Sequence, residues 1–295
     1  MTASRSFLPF AMAIAGIAVF SAMDAVMKGA ALAAGVYSAV VLRNTIGALA
    51  MVPIWLVAGR PLAGRAAMRV HIQRALVTSG MALLFFYGIT LLPLAEAIAI
   101  SFIAPLIALY FAALILGERI QPGAIIASVL GIAGVVVIGA ARMQSGELSD
   151  QALSGIAAVL VSAVLYALNL VLQRKQALLS SPIEIALVQN LFMAMILSLA
   201  APWWLAWPSL PALGLIALSA LLATVALLLL SYAYARAEAQ ALVPVEYTGF
   251  LWAALFGWWL YDETVDVGTV AGTLLIVLGC WIAMRAQVPA NPPHS

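Results

Sequence analysis

Ten apolar blocks, each close to the roughly 20 residues that an α-helix needs to cross a bilayer, fill almost the whole chain. They run approximately over 7–28, 36–58, 71–91, 95–116, 122–141, 152–172, 183–204, 211–232, 240–260 and 267–285. The links between them are short and collect Gly, Pro, Ser and charge, as in GRPLAGRAAMR at 59–69 and RMQSGELSD at 142–150. None is long enough for a soluble domain. Only 8% of residues are charged, against about 25% in soluble chains. The expected fold class is all-α integral membrane with ten transmembrane helices. The ALA at 31–33 has the small residues of a signal-cleavage site, but the apolar run before it is too long and Asp24 and Lys28 interrupt it, so the first span is read as retained.

Composition excludes several chemistries. One cysteine, Cys280, permits no intramolecular disulfide, and with His71 and His294 as the only histidines no metal cluster is expected. No cofactor is expected either. Basic residues form no patch for nucleic acid, so the expected partners are the lipid bilayer and a small molecule. A phosphate-binding GxxxxGK[ST] stretch does not occur, which argues against ATP hydrolysis by this chain.

Lys and Arg set the orientation. With a cytoplasmic N-terminus, ten basic residues fall inside (Arg5, Arg60, Arg65, Arg69, Arg74, Arg119, Arg174, Lys175, Arg236 and Arg285) and two outside (Lys28 and Arg142). Both termini are then cytoplasmic. Trp203, Trp204, Trp207, Trp258 and Trp259 collect near the outer surface, as an interfacial belt predicts.

The two halves superpose in sequence at a constant shift of 145 residues: Tyr87 falls on Tyr232 (87 + 145), Phe111 on Phe256, Glu118 on Glu263 and Gly134 on Gly279. Asp24 falls on Asn169 and Lys28 on Gln173, so even the rare polar positions of the first span recur in the sixth. Five spans per half is an odd number, so the second half enters the membrane in the opposite sense. The expected architecture is two inverted five-helix repeats, 1–141 and 142–288, with a cytoplasmic tail at 289–295. Secondary transporters recurrently use such repeats, with the substrate site near the midplane between them.

The stretch FYGITLLPLAEAIAISFIAPLIALYFAALILGERIQPGAIIASVLGIAGVVVIG, 86–139, resembles the EamA family of the drug/metabolite transporter superfamily. The likeness rests on Ala-Glu-Ala at 95–97, Ala104-Pro105, Gly117-Glu118-Arg119 and the glycine-spaced helix that follows. It continues in YAYARAEAQALVPVEYTGFLWAALFGWWLYDETVDVGTVAGTLLIVLG, where Asp262-Glu263 replaces the usual Gly-Glu. FSAMDAVMK, VVLRN and ALVPVEYTGFLWAALFGW are most similar to bacterial metabolite carriers, including those for S-adenosylmethionine, riboflavin or amino acids. The resemblance implies ten helices, cytoplasmic ends and a cavity bordered by spans 1, 3, 4, 6, 8 and 9.

Ionisable groups inside spans cost about 2.5–3.5 kcal/mol each on insertion scales and so require an account. With the first span ending at 28, Asp24 lies about 6 Å from its outer end, and Arg43 about 10 Å below the start of the second, at 1.5 Å per residue. Asp24, Lys28 and Arg43 are thus at comparable outer depth and could form one network. Their alternatives are a structural ion pair fixing the first two spans, or a carboxylate that binds a cationic substrate or exchanges a proton. Glu246 lies about 9 Å from the cytoplasmic end of the ninth span, after Pro244 and before Tyr247, where a local opening of the helix is expected. On the implied cavity spans, Tyr87, Phe102, Tyr166, Tyr232 and Tyr247 offer aromatic faces, and Asn169 and Gln173 offer amides; core packing and interhelical hydrogen bonding are their alternatives. Glu96 and Glu184 suit helix N-termini, Glu118 and Glu263 suit loop capping, and Gly268 and Gly272 suit close helix packing.

The expected function is a secondary, non-ATP transporter that moves a small metabolite across the bacterial inner membrane by alternating access, with proton coupling through Asp24 or Glu246. A lipid-linked flippase or a non-transporting scaffold is the alternative. Enzymatic chemistry is disfavoured: no GxGD follows at Tyr261-Asp262, neither histidine is read inside a span, and zinc lacks ligands.

Overall fold

The structure, a computed structural model, describes residues 8–59, 64–116, 122–144, 149–234, 236, 242 and 245–286. Glu118, Pro244 and the tail at 289–295 lie outside the described residues. Among the described residues the chain is helical, without strands. The helices are α1 (Leu8–Ala34), α2 (Val36–Val57), α3 (Arg65–Leu91), α4 (Leu94–Ser101), α5 (Ala104–Leu116), α6 (Pro122–Gln144), α7 (Asp150–Ala177), α8 (Pro182–Ser198), α9 (Ala201–Trp204), α10 (Leu210–Tyr234), α11 (Gly249–Tyr261) and α12 (Val267–Ala286). Seven stretches are long and apolar enough to cross a membrane, α4 and α5 counting together; Ile183–Ser198, Gly249–Tyr261 and Val267–Ile282 are apolar but shorter. The chain is a multi-pass membrane protein.

Helix limits follow local chemistry. Ser149 and Ser181 cap α7 and α8 by accepting bonds from the N–H groups of Ala152 (3.1 Å) and Glu184 (3.3 Å). Asp266 does the same for α12, taking the Thr269 N–H at 2.9 Å and its hydroxyl at 2.6 Å. Partial burial pushes the Asp266 carboxyl up, but the Thr269 and Gly268 bonds outweigh it and hold the group below its ordinary value. At the end of α11, Asp262 adopts a left-handed φ of 53°, a conformation glycine favours and Asp tolerates. The N–H of Glu263 then returns to the carbonyl of Gly257 at 3.1 Å, closing a Schellman turn. That geometry explains how Asp262 replaces the Gly of the Gly-Glu pair without losing the turn.

The fourth and ninth spans are both interrupted, and at related positions. α4 stops at Ser101 and α5 starts at Ala104, around a turn at 102–103; helical residues 245–246 meet α11 around a turn at 247–248. The two restarts differ by 249 − 104 = 145 residues. Pro105 has no N–H for the Ser101 carbonyl, which weakens the first helix there. In the second, the Thr248 hydroxyl bonds back to the Val245 carbonyl at 2.6 Å and competes with the helical ladder. Phe102 and Tyr247 (102 + 145) pack edge to face with centroids 5.2 Å apart.

Packing obeys the same relation. Exchanging residues with those 145 positions away turns the α1–α10 contact into α7–α3, the α3–α8 contact into α10–α2, and α5–α7 into α11–α1, while α2–α8 and α6–α12 map onto themselves. The α6–α12 crossing is the closest. A Cβ at Gly272 would stand 2.5 Å from the Gly134 carbonyl, and one at Gly134 would stand 2.5 Å from the Gly272 carbonyl. Because the obstacle is backbone, neither side can swing aside. Gly272→Val is expected to destabilise by at least the 1–3 kcal/mol typical of overpacking, seen as a lower apparent thermal midpoint; an unchanged midpoint would show that the helices separate freely here.

Candidate functional site

Around the C-terminal half of α1, three links meet. The Schellman turn after α11 aims Glu263 at Lys28, and the two form an ion pair with side chains only 6% and 14% exposed. Lys28 also donates to the Leu92 carbonyl at 2.7 Å, and Glu263 accepts the Leu94 N–H at 2.7 Å. Tyr261 donates to the Ala25 carbonyl at 2.6 Å, with Lys28 5.3 Å from its ring centroid. This knot therefore ties α1 to the α3–α4 link and the α11–α12 link. Beside it, Arg142 donates to Glu96 at 2.7 Å, so Glu96 serves an ion pair with α6 as well as a helix start. Trp203, Trp204, Trp207, Trp258 and Trp259 are exposed at this same end.

The expectation of one Asp24–Lys28–Arg43 network is corrected. Among the described residues, the ion pair of Lys28 is with Glu263, while the opposite charge acting on Asp24 is Arg43. The depth of Asp24 changes as well. α1 continues through AALAA to Ala34, which places Asp24 ten residues, about 15 Å, from the C-terminal end of α1 at 1.5 Å per residue. In a bilayer core of about 30 Å that is the middle. Asp24 is 3% exposed, and Arg43 packs across the Phe86 ring at 5.9 Å.

Tyr166, 38% exposed on α7, lies within electrostatic reach of Glu246, Arg74 and Asp24. Glu246 is exposed and also acts on Tyr247, whose hydroxyl is bonded to the Cys280 thiol. Cys280 in turn donates to the Phe102 carbonyl at 3.3 Å, at the α4–α5 interruption. Of the residues singled out in the sequence, Asp24, Arg43, Tyr166, Glu246, Tyr247 and Phe102 thus gather where the two halves meet. Tyr87 is exposed on α3. Tyr232 lies near the end of α10, under the Arg236 guanidinium at 3.7 Å.

Arg74 was missed by the sequence reading. α3 begins at Arg65, not 71, so Arg74 is nine residues into the helix, about 14 Å from its start. Its Nε donates to Asn169 at 2.8 Å, Nη1 to Gln176, and Nη2 to Gln173 at 3.3 Å. Asn169 and Gln173 are therefore occupied by a cation from another helix. The available signal was the spacing 169, 173, 176, one face of α7 presenting three amides.

His71, read as outside the spans, is fully buried within α3. Its Nε2 faces Ser180 at 3.1 Å and Glu184 at 3.5 Å, and its Nδ1 takes the Gln176 amide. A catalytic triad needs its acid on the ring nitrogen opposite the serine. Here serine and acid share one nitrogen, which makes this cluster a tie between α3, α7 and α8.

Several known proteins resemble this chain. A Helicobacter pylori (strain ATCC 700392 / 26695) protein named only as an uncharacterized transporter is 30% identical over 215 residues, 71% of this chain and 72% of that protein. The pseudopaline exporter of Pseudomonas aeruginosa (strain UCBPP-PA14) is 30% identical over 275 residues, 91% and 93% of the two chains. The S-adenosylmethionine uptake transporter of Rickettsia prowazekii (strain Madrid E) is 28% identical over 214 residues, 70% and 69%. A solved crystal structure with 21% identity overlays with a TM-score of 0.65, covering 96% of this chain and 99% of the other, and shares the fold. The EamA-like transporter family matches the chain twice, over residues 8–140 and 153–285. With both matches together spanning nearly its whole length, this chain belongs to the EamA-like transporter family.

Proposed function

We propose that the protein is a secondary transporter that carries a small, charged metabolite across the bacterial inner membrane by alternating access. Ten crossings form two inverted repeats, 1–141 and 142–288, with both termini cytoplasmic. The observation that carries this reading is that Tyr166 on α7 lies within electrostatic reach of Asp24 on α1, Arg74 on α3 and Glu246 at the interrupted helix before α11. Polar groups and broken helices at the midplane between related halves are what substrate sites in such transporters are made of. The Lys28–Glu263 knot is the closed outer gate, and the exposure of Tyr166, Gln173 and Glu246 supports a cavity entered from the cytoplasm. Near-equivalent halves place the opposite state close in energy, which alternation requires.

The relatives include one named for export and one for uptake, and both names support a small-molecule cargo. Purified protein in liposomes loaded with S-adenosylmethionine, amino acids or riboflavin is expected to exchange at least one of them, and an inward pH gradient is expected to drive net movement. A protein that exchanges none of them and instead scrambles labelled lipid would favour a flippase.

A further inference from the structure

We propose that Arg74, held by Asn169, Gln173 and Gln176, is the receptor for a carboxylate on the transported molecule. This inference rests on the transporter reading for its biological role, but the chemistry of the site stands on its own contacts.

A guanidinium inside a span is costly and pairs with an acid where one is available. Among the described residues the ion pairs are Lys28–Glu263, His71–Glu184 and Arg142–Glu96. Arg74 is in none of them. Its hydrogen-bond partners are three neutral amide oxygens, and it remains half-buried beside the exposed Tyr166 and Gln173. The other intramembrane guanidinium, Arg43, has Asp24 acting on it. Arg74 is thus a cation that the protein orients without neutralising.

The orientation is itself built. The amides at 169, 173 and 176 lie along one face of α7, and each takes a different nitrogen of the fork. Gln176 is fixed in turn, because its amide nitrogen faces His71 Nδ1 and leaves its oxygen for Arg74. A guanidinium has five N–H groups. Three are used, and one remains on each terminal nitrogen, the pair that a carboxylate takes bidentately.

The repeat adds an independent argument. Shifting Arg74 by 145 gives Ser219, and shifting Asp24 gives Asn169. The Arg74–Asn169 contact is therefore the counterpart of the Ser219 and Asp24 positions on α10 and α1, which pack together. The guanidinium is thus particular to one half: its counterpart on α10, Ser219, spends its hydroxyl on Met27 Sδ and the Ile216 carbonyl.

The test uses full-length protein in nanodiscs and paired probes that differ only by a carboxylate: histidine and histamine, tyrosine and tyramine, S-adenosylmethionine and its decarboxylated form. Calorimetry is expected to find at least one acid preferred over its amine by wild type. Arg74→Gln should weaken that acid by about tenfold or more, the scale of a lost charge-assisted bidentate bond, and leave the amine unchanged. Arg74→Lys, which retains charge and fold but loses the fork, should fall between. The proposal is overturned if both variants bind the acid as wild type does, or if no acid in the panel is preferred. Flux separates the readings: carboxylate-independent transport by wild type keeps the transporter and removes this receptor, whereas Arg74-dependent binding without any flux keeps the receptor and removes the transporter.

Discussion

Lys28→Met is expected to be the most damaging single substitution outside the tight helix crossings. Removing one member of a buried pair leaves the other charge without its partner, at a cost of about 3–5 kcal/mol. Lys28 and Glu263 are 6% and 14% exposed, so water compensates little. Glu263 would retain the Leu94 N–H, and the Leu92 carbonyl would lose its donor. At about 2–4 °C per kcal/mol for a chain of this order of size, the apparent thermal midpoint should drop by roughly 6–20 °C. Glu263→Gln should have a similar but smaller effect, because the single amide oxygen still accepts from either Leu94 or Lys28, which use different carboxylate oxygens in the native pair. The double variant Lys28→Met/Glu263→Gln should recover part of the loss, since no unpaired charge remains. A gate adds a second signature. With the native Cys280 buried, a cysteine placed at Thr264 should react faster with a membrane-impermeant maleimide in Lys28→Met than in wild type. Single variants that leave both midpoint and labelling unchanged would reduce the knot to a surface contact.

The bilayer makes spans legible in sequence, because each crossing demands a block of apolar residues. The same constraint exposed the duplication: charged and amide side chains are so rare in such blocks that Asp24 with Asn169, or Lys28 with Gln173, stand out at a fixed shift. The family matches at 8–140 and 153–285 are offset by the same 145 residues (153 − 8). Span ends were less legible. Charge usually marks a span end, which makes Lys28 read as a boundary, yet α1 runs to Ala34 and carries Asp24 ten residues inside the helix. The start of α3 shifts likewise, from the expected 71 to Arg65, which carries Arg74 nine residues into the helix.

Partners were the least legible feature. Lys28 and Glu263 are 235 residues apart, and Arg74 and Asn169 are 95 apart. No local pattern predicts such pairs, because they depend on which helices become neighbours. Glu263 looked like a cap and is half of an ion pair; Asn169 and Gln173 looked like free cavity amides and hold a guanidinium. The duplication does supply part of the missing information. Once α1–α10 is known to pack, exchange of the halves gives α7–α3, and with it the opportunity for Arg74 to meet Asn169.

Asp24→Asn is expected to uncouple transport from the pH gradient. A carboxylate 3% exposed near mid-membrane has two uses, neutralising a fixed cation or exchanging a proton or cationic group with the cavity. Arg43 acts on it electrostatically, yet among the described residues the two make no ion pair within contact distance. An acid serving only as a counter-ion gains most from contact, as Glu96 does with Arg142 at 2.7 Å. The asparagine is nearly isosteric and should fold, with a midpoint close to wild type, but it cannot carry a proton. Uptake driven by a pH gradient should therefore fall by about tenfold or more, within the range of a coupling free energy of about 1–3 kcal/mol. Exchange of labelled for unlabelled cargo, which needs no net proton movement, should survive. Loss of both activities with a lowered midpoint would assign Asp24 to holding Arg43 in place. Gradient-driven uptake that persists in Asp24→Asn but disappears in Glu246→Gln would move the coupling to the exposed carboxylate on the other half. The two acids differ in burial: Asp24 is buried and Glu246 exposed, so the two substitutions separate a sealed carboxylate from an accessible one.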